Sequence, residues 1–240
     1  MCADIKDFQY SVSIDSIVIT RYIGGSFKPV IPTRIDGLPV KELGAQSFAG
    51  TDIACITVPE GIEHIGKNAF GMCESLTDVT LPMSLNQLDC GVFQGCEHLK
   101  TIKISDGNAK YAVDDGILYD TQQSALILCP PGLNRDFVKV KPGTKIISNA
   151  AFYQNRSLTQ IILPPSLVRI ESSSFLFTDN LPYVSIPPSV NRIDKDAFLI
   201  GPLHMCGKRF KLFCLKDSYA YQYAAEQGIP AEALYAYITD

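Results

Sequence analysis

The residues able to do chemistry in this 240-residue chain are its eight cysteines and three histidines. Thiolates act as nucleophiles, and thiolate sulfur and imidazole nitrogen together hold transition metals. The spacing speaks against both uses. His204-Met205-Cys206 with Cys214 offers three ligand atoms, but no C-x-x-C pair supports them, so no metal site is expected. His64, His98 and His204 fall at loop or near-cap positions, where a solvated imidazole is the ordinary case. No G-x-S-x-G, P-loop or H-E-x-x-H occurs. Gly24-Gly25 reads as a turn, since no phosphate-binding helix follows, and Asp114-Asp115 are turn formers. No catalytic residue and no cofactor is expected, and the chain reads as non-enzymatic.

Composition narrows the classes further. Hydrophobic residues make up 46% and charged residues 19%, against a usual charged share of about 25%. A disordered chain needs the opposite balance. The net charge of −4 gives no basic surface, so a nucleic-acid partner is excluded. No apolar run approaches the roughly 20 residues that cross a bilayer, so no membrane insertion is expected. The opening MCADIKDFQY has no cationic segment followed by an apolar core, and no signal peptide is visible there.

The elements that must position any site come from an internal repeat. One unit is written six times, anchored on Phe48, Phe70, Phe93, Phe152, Phe175 and Phe198 at spacings of 22, 23, 59, 23 and 23. In the second copy Leu76, Val79 and Leu81 follow L-x-x-V-x-L, whose end alternates as a strand does. Asp78 and Thr80 then point the other way. Pro82 ends the strand. Residues 66–72, containing Ala69 and Phe70, predict a single helical turn. No unit can bury its apolar residues alone, but stacked copies share a continuous core.

Cys73 and Cys96 occupy one phase, three residues after their anchor phenylalanines. Stacked coils would bring them within disulfide range. Asn155 and Thr178 share the phase, however, so the position asks for a small, partly buried side chain, and a packed free thiol is expected.

The 59-residue gap marks an insertion over residues 106–134, in which residues 111–119 and 125–128 flank the polar run 120–124 as the arms of a hairpin. The repeat resumes at Val138 and Val140. Residues 8–20 predict an N-terminal strand pair, and residues 218–227 predict a capping helix with Asp217 or Ser218 as N-cap and Gly228-Ile229-Pro230 as its stop. The expected layout is a single domain over 1–240: an N-terminal cap 1–42, repeats 43–105, the hairpin insertion 106–134, repeats 135–203 and a C-terminal cap 204–240.

The repeat strongly resembles the BspA-type leucine-rich repeat, I-x-x-x-A-F followed by L-x-x-V-x-I-P-x-S. Ala69-Phe70, Ala151-Phe152, Ala197-Phe198 and Val184-Ser185-Ile186-Pro187-Pro188-Ser189 carry the likeness. Asp115–Tyr119 resembles that family's D-G-I-L-Y element, and residues 35–40 at the start and Ser218-Tyr219-Ala220 with Gly228-Ile229-Pro230 at the finish resemble its caps. Where many leucine-rich repeats carry Asn or Cys after L-x-L, this chain has Gly61, Ser84, Gly143, Ser166 and Ser189. A turn held by Ser or Gly is expected to replace the asparagine ladder.

The resemblance implies a leucine-rich-repeat solenoid, a right-handed superhelix with a parallel β-sheet on its concave face and short helical turns opposite. It also implies a binding role, often that of an exported bacterial protein attaching to host or neighbouring-cell surfaces. The location it implies is the cell surface or secretion, with the cytoplasm as the alternative. Apart from the resemblance, the other functions weighed are an intracellular protein-interaction scaffold and a cysteine- or metal-dependent enzyme. The partner would be a protein or a glycan. The outward strand positions supply the candidate face in two rows. One holds Thr57, Thr80, Lys103, Lys139, Ile162 and Ser185; the other holds Cys55, Asp78, Thr101, Phe137, Gln160 and Tyr183. Phe137, Ile162 and Tyr183 give its C-terminal half the apolar and aromatic character of binding centres. The hairpin tip at residues 120–124 is a rival site.

Overall fold

Short apolar strands separated by tight turns leave their backbone groups unpaired within one repeat, so the partners must come from the next repeat. The computed structural model describes residues 4–198 and 210–234. The chain divides into two compact units, one ending at Leu118 and the other beginning at Tyr119.

The first unit opens with one turn of 3-10 helix, Ile5–Asp7, and the antiparallel pair β1 (Phe8–Val12) and β2 (Ile17–Tyr22). A second hairpin joins β3 (Arg34–Ile35) to β4 (Leu38–Leu43). Its two turn residues, Asp36 and Gly37, have φ of 50° and 81°, as a tight hairpin turn compatible with strand twist requires. Each coil then contributes two strands. The longer ones, β5 (Cys55–Thr57), β7 (Asp78–Leu81) and β9 (Thr101–Ile104), stack in parallel, with Ile56 on Val79 and Val79 on Ile102. The shorter ones, β6 (His64–Ile65) and β8 (Gln87–Leu88), extend β4 into a second parallel sheet through Leu43, Ile65 and Leu88. The pattern of residues predicts only the first of these sheets, because a two-residue strand is too short to show alternation. After β9 come β10 (Tyr111–Asp114) and β11 (Ile117–Asp120). The Tyr111 hydroxyl accepts from the Leu88 N–H at 2.9 Å, closing the end of β8.

The boundary between the units falls inside β11. The expected hairpin runs from there to β12 (Ala125–Leu128), its connection tied by buried Asp120, which accepts from the Gln122 and Gln123 N–H groups at 2.9 Å each. The first arm folds once more at Asp115-Gly116, both at positive φ, so the insertion holds three strands rather than two. β12 already belongs to the stack: Leu126 pairs with Ile147 of β14 (Ile146–Ile147), and β13 (Phe137–Lys139) lies between them in the chain.

In the second unit β12, β14, β16 (Arg169–Ile170) and β18 (Arg192–Ile193) stack in parallel as a short-strand sheet of their own. β13 pairs with β15 (Gln160–Ile162), placing Val138 on Ile161. β17 (Tyr183–Ser185) pairs with β19 (Lys211–Leu215), placing Val184 on Leu212. Helix α1 (Tyr219–Gln227) is capped by Ser218, whose side chain accepts from the Tyr221 N–H, and stops at Gly228 with φ 67°. It packs on β18, β19 and the last strand, β20 (Ala231–Leu234), which pairs with β19.

The predicted helical turn at residues 66–72 is absent, and the reason lies in the partners of the backbone. Asn68 and Met72 have φ of 53° and 56°, which breaks helical geometry and frees alternate N–H groups to face the next coil. Asn68, Phe70 and Met72 donate to the carbonyls of Cys90, Val92 and Gln94. Phe48 donates likewise to Ala69, Phe152 to Ser174 and Phe175 to Ala197. A helix would have spent these donors internally. Inside the turns the anchor phenylalanines stack, with centroids 5.2 Å apart for Phe48 and Phe70, 5.5 Å for Phe70 and Phe93, 5.2 Å for Phe152 and Phe175, and 4.7 Å for Phe175 and Phe198.

Side chains tie the coils at two further phases. Ser84, Ser166 and Ser189 each donate to a carbonyl one coil back, those of Ile62, Thr144 and Leu167, at 2.8, 2.9 and 2.7 Å. The expected serine turn is thus a hydroxyl ladder. Three residues after the anchor position, Cys73 donates to Phe48 O, Cys96 to Phe70 O and Asn155 to Cys129 O, again one coil back. Cys129 occupies the anchor phase of the β12 coil, since its N–H pairs with Ala151 as Phe152 pairs with Ser174.

Candidate interaction surface

Strand alternation decides which side chains are free to meet a partner. In the long-strand sheets Ile56, Val79, Ile102, Val138, Ile161, Val184 and Leu212 point inward and are buried, so their neighbours point out. The first unit presents Cys55, Asp78 and Thr101 in one row and Thr57, Thr80 and Lys103 in the other, in register. This face is polar. Thr77 Oγ1 donates to Asp78 at 2.6 Å, and hydrogen bonds from Thr77 and then Thr101 hold the Asp78 carboxyl below its ordinary range.

The second unit presents a different surface. Phe137 lies beside Gln160 and Lys139 beside Ile162; Tyr183 lies beside Lys211 and Ser185 beside Phe213. β15 and β17 are neighbours in the same stack. Phe137 is 42% and Tyr183 38% exposed, high for aromatic rings on an otherwise closed sheet. Tyr183 and Phe213 meet edge to face at 5.1 Å, a favoured arrangement of ring quadrupoles. Lys211 Nζ sits 4.9 Å from the Phe213 centroid and 2.8 Å from Glu232 Oε2. Phe213, Lys211 and Glu232 therefore join the candidates Phe137, Lys139, Gln160, Ile162, Tyr183 and Ser185. They escape the repeat pattern because β19 follows residues 199–209, which break the 23-residue period. The alternation of Leu212, Phe213 and Cys214 is the signal that marks the strand.

The histidines and cysteines take structural places. His64 is half-buried rather than solvated, with Nδ1 3.4 Å from Glu42 Oε1 and Nε2 3.2 Å from Asp89 Oδ2. In the second unit Arg169 holds the same phase, between Glu171 at 3.2 Å and Asp194 at 3.8 Å. His98 is exposed, its Nδ1 2.8 Å from the Glu74 carbonyl. Cys73, Cys96, Cys129 and Cys214 are buried free thiols, Cys55 is half-buried and Cys90 exposed. Cys2, His204 and Cys206 lie outside the described residues. Among those described, no three His, Cys, Asp or Glu side chains gather as metal ligands, and no helix is long and apolar enough to cross a membrane.

Coils of this length, each giving a strand to a parallel sheet and a buried apolar spine, define a leucine-rich-repeat protein. The chain belongs to the BspA-type leucine-rich-repeat family, whose model matches in six copies over residues 33–125 and 133–204. Among solved structures it is similar to the pneumococcal vaccine antigen PcpA, at 16% identity and a TM-score of 0.52, with 84% of this chain and 73% of that one covered. A leucine-rich repeat protein from Bacteroides ovatus gives 19% identity and a TM-score of 0.52; the match covers 80% of this chain but 49% of that one. A Treponema pallidum leucine-rich repeat protein is 22% identical over 98% of this chain and 99% of its own, at a TM-score of 0.47. At these identities the likeness to the first two is one of fold. Comparison with curated proteins finds no match.

Proposed function

We propose that this chain is a non-catalytic recognition module that binds a protein through the outward sheet face of its second unit. The observation that carries the reading is the exposed aromatic group of Phe137 and Tyr183, with Ile162 and Phe213 beside them, on a sheet whose inward side is already filled. Rings held by a rigid sheet lose little freedom on binding, and aromatic anchors dominate interface energies. The polar residues around them, Gln160, Ser185, Lys139 and the Lys211–Glu232 pair, supply the rim that such an interface needs. Membership of the BspA-type family and likeness to a vaccine antigen support action at a cell surface or after secretion, in attachment to another cell or its matrix.

Binding of the purified chain to immobilised host-cell or matrix proteins tests this. Phe137→Ala with Tyr183→Ala is expected to weaken capture at least tenfold while Thr80→Ala with Lys103→Ala does not. Undiminished capture by the first variant, with its fold intact by circular dichroism, rejects the face. Capture of glycans on an array, with no protein bound, would move the partner to that class.

A further inference from the structure

We infer that Cys73 and Cys96 form a site of reversible oxidation, closing to a disulfide between two neighbouring coils of the first unit when hydrogen peroxide is the oxidant. The two residues hold one phase in successive coils. Met72 N–H donates to Gln94 O at 2.8 Å and Phe70 N–H to Val92 O at 2.9 Å, so the two turns that lead into the cysteines are hydrogen-bonded to each other directly. Hydrogen-bonded strands lie about 4.8 Å apart, within the Cα separation that a disulfide spans. Both sulfurs are fully buried and each thiol donates to a carbonyl one coil back, Cys73 to Phe48 at 3.1 Å and Cys96 to Phe70 at 3.0 Å. Thr51 Oγ1 lies 3.5 Å from the Cys73 sulfur. No other pair of described cysteines shares a phase in adjacent coils.

The neutral pair points both S–H groups at carbonyls. The first proton to leave is that of Cys73: the Cys96 thiol turning onto the new thiolate holds Cys73 down at about 7, against the effect of burial, and pushes Cys96 up. Cys73 is therefore the sulfur that attacks. It takes one peroxide oxygen, the O–O bond breaks, and the thiol proton leaves with the other oxygen as water, which yields a sulfenic acid. Cys96 sulfur then attacks Cys73 sulfur. The S–O bond breaks and the departing hydroxide carries off the Cys96 proton as a second water. Two sulfurs lose two electrons and the peroxide gains them. Burial selects the oxidant, since hydrogen peroxide is little larger than water whereas a glutathione disulfide cannot reach either sulfur without opening the coil.

The test uses the full chain with Cys90→Ser to remove the exposed thiol. Reduced protein is treated with hydrogen peroxide and mapped by mass spectrometry without reduction. Expected are a loss of two hydrogens, a cross-linked peptide joining Cys73 and Cys96, full reversal by dithiothreitol, and an unfolding midpoint several degrees higher in the oxidised form. Adding Cys96→Ser should stop the chemistry at a Cys73 sulfenic acid trapped by dimedone. Folding of that variant is checked by its melting curve; the phase accommodates a buried hydroxyl in Thr178, whose Oγ1 donates to the Phe175 carbonyl of its own coil. Absence of the cross-link under peroxide, pairing of either sulfur elsewhere, or equal reaction with oxidised glutathione would overturn the proposal.

Discussion

Ser189 Oγ donates to the Leu167 carbonyl across 2.7 Å, from one coil to the coil before it. The acceptor lies in the turn that follows each proline, where the backbone has left the sheet and has no ladder partner. A neutral hydrogen bond of this kind contributes about 1 kcal/mol net, and somewhat more is lost when its removal strands a part-buried acceptor. Ser189→Ala should lower stability by about 1 kcal/mol in urea titration, and Ser166→Ala, which breaks the bond to Thr144, by a similar amount. Ser189→Asn should retain much of it, since an amide can donate to the same carbonyl.

The phenylalanine stack makes a stronger demand. Phe175 is fully buried between Phe152 at 5.2 Å and Phe198 at 4.7 Å. Phe175→Ala removes the ring contacts on both sides and leaves a cavity that two rigid coils cannot close. The expected cost is about 3–5 kcal/mol, a large part of the stability of an ordinary domain. Calorimetry of the variant should show a much lower unfolding midpoint.

One position is destabilised in the protein as it stands. Among the described residues the buried Ser174 hydroxyl finds no hydrogen-bond partner, and the same holds for Ser47 at the equivalent phase. Ala69, Ala151 and Ala197 stand there in other coils. Burial of an unpaired hydroxyl costs free energy that a methyl does not. Ser174→Ala is expected to raise stability by up to about 1 kcal/mol, measurable as a higher midpoint in urea.

Glu60 links stability to pH. Its carboxylate accepts from Met83 N–H at 2.8 Å and from Ser84 N–H at 3.2 Å, one coil on. These bonds, Met83 first, hold its carboxyl below the usual range. A carboxyl lowered on folding contributes stability above its unfolded value, near 4.3, and loses that contribution as pH falls through the folded value. The group is solvent-facing, so the effect is screened and stays below about 1 kcal/mol. Glu60→Gln should lower stability at pH 7 slightly and flatten the acid limb of the curve between about pH 5 and 3; an unchanged acid limb would remove Glu60 from that account.

These ties were legible in the sequence to different degrees, and the physics of each explains why. Val79, Ile102 and their counterparts repeat at one phase because a shared core tolerates nothing else, so the long-strand sheets could be drawn in advance. Ser84, Ser166 and Ser189 could be marked as turn residues, but not their acceptors, which lie one coil back. The left-handed residues resist reading: Gln46, Asn68, Ala150 and Ser173 adopt φ between 53° and 57° at one phase with no common side chain. Their geometry is imposed by hydrogen bonds to the next coil. Gly91 holds that phase in the third coil with φ 67°, where a Cβ would stand 2.4 Å from Asn68 Oδ1, so there the glycine has a reason that only the neighbouring coil supplies. Phe213 was missed on similar grounds, since a strand outside the period is visible only by its five-residue alternation.

That alternation separates binding from folding on the candidate face. Leu212 and Tyr183 sit in adjacent strands, yet Leu212 is fully buried and Tyr183 is 38% exposed. Leu212→Ala should cost about 2–5 kcal/mol, the range for emptying a core position, and its effect on ligand capture should follow the loss of folded protein. Tyr183→Ala removes an edge-to-face contact with Phe213 worth about 0.5–1.5 kcal/mol. Its stability loss should therefore be small, and any larger loss of capture is a direct effect on binding. Measuring the unfolding free energy and the dissociation constant for both variants checks this, and a Tyr183→Ala variant that binds as the parent does would leave the aromatic group as surface ornament of the sheet rather than its contact.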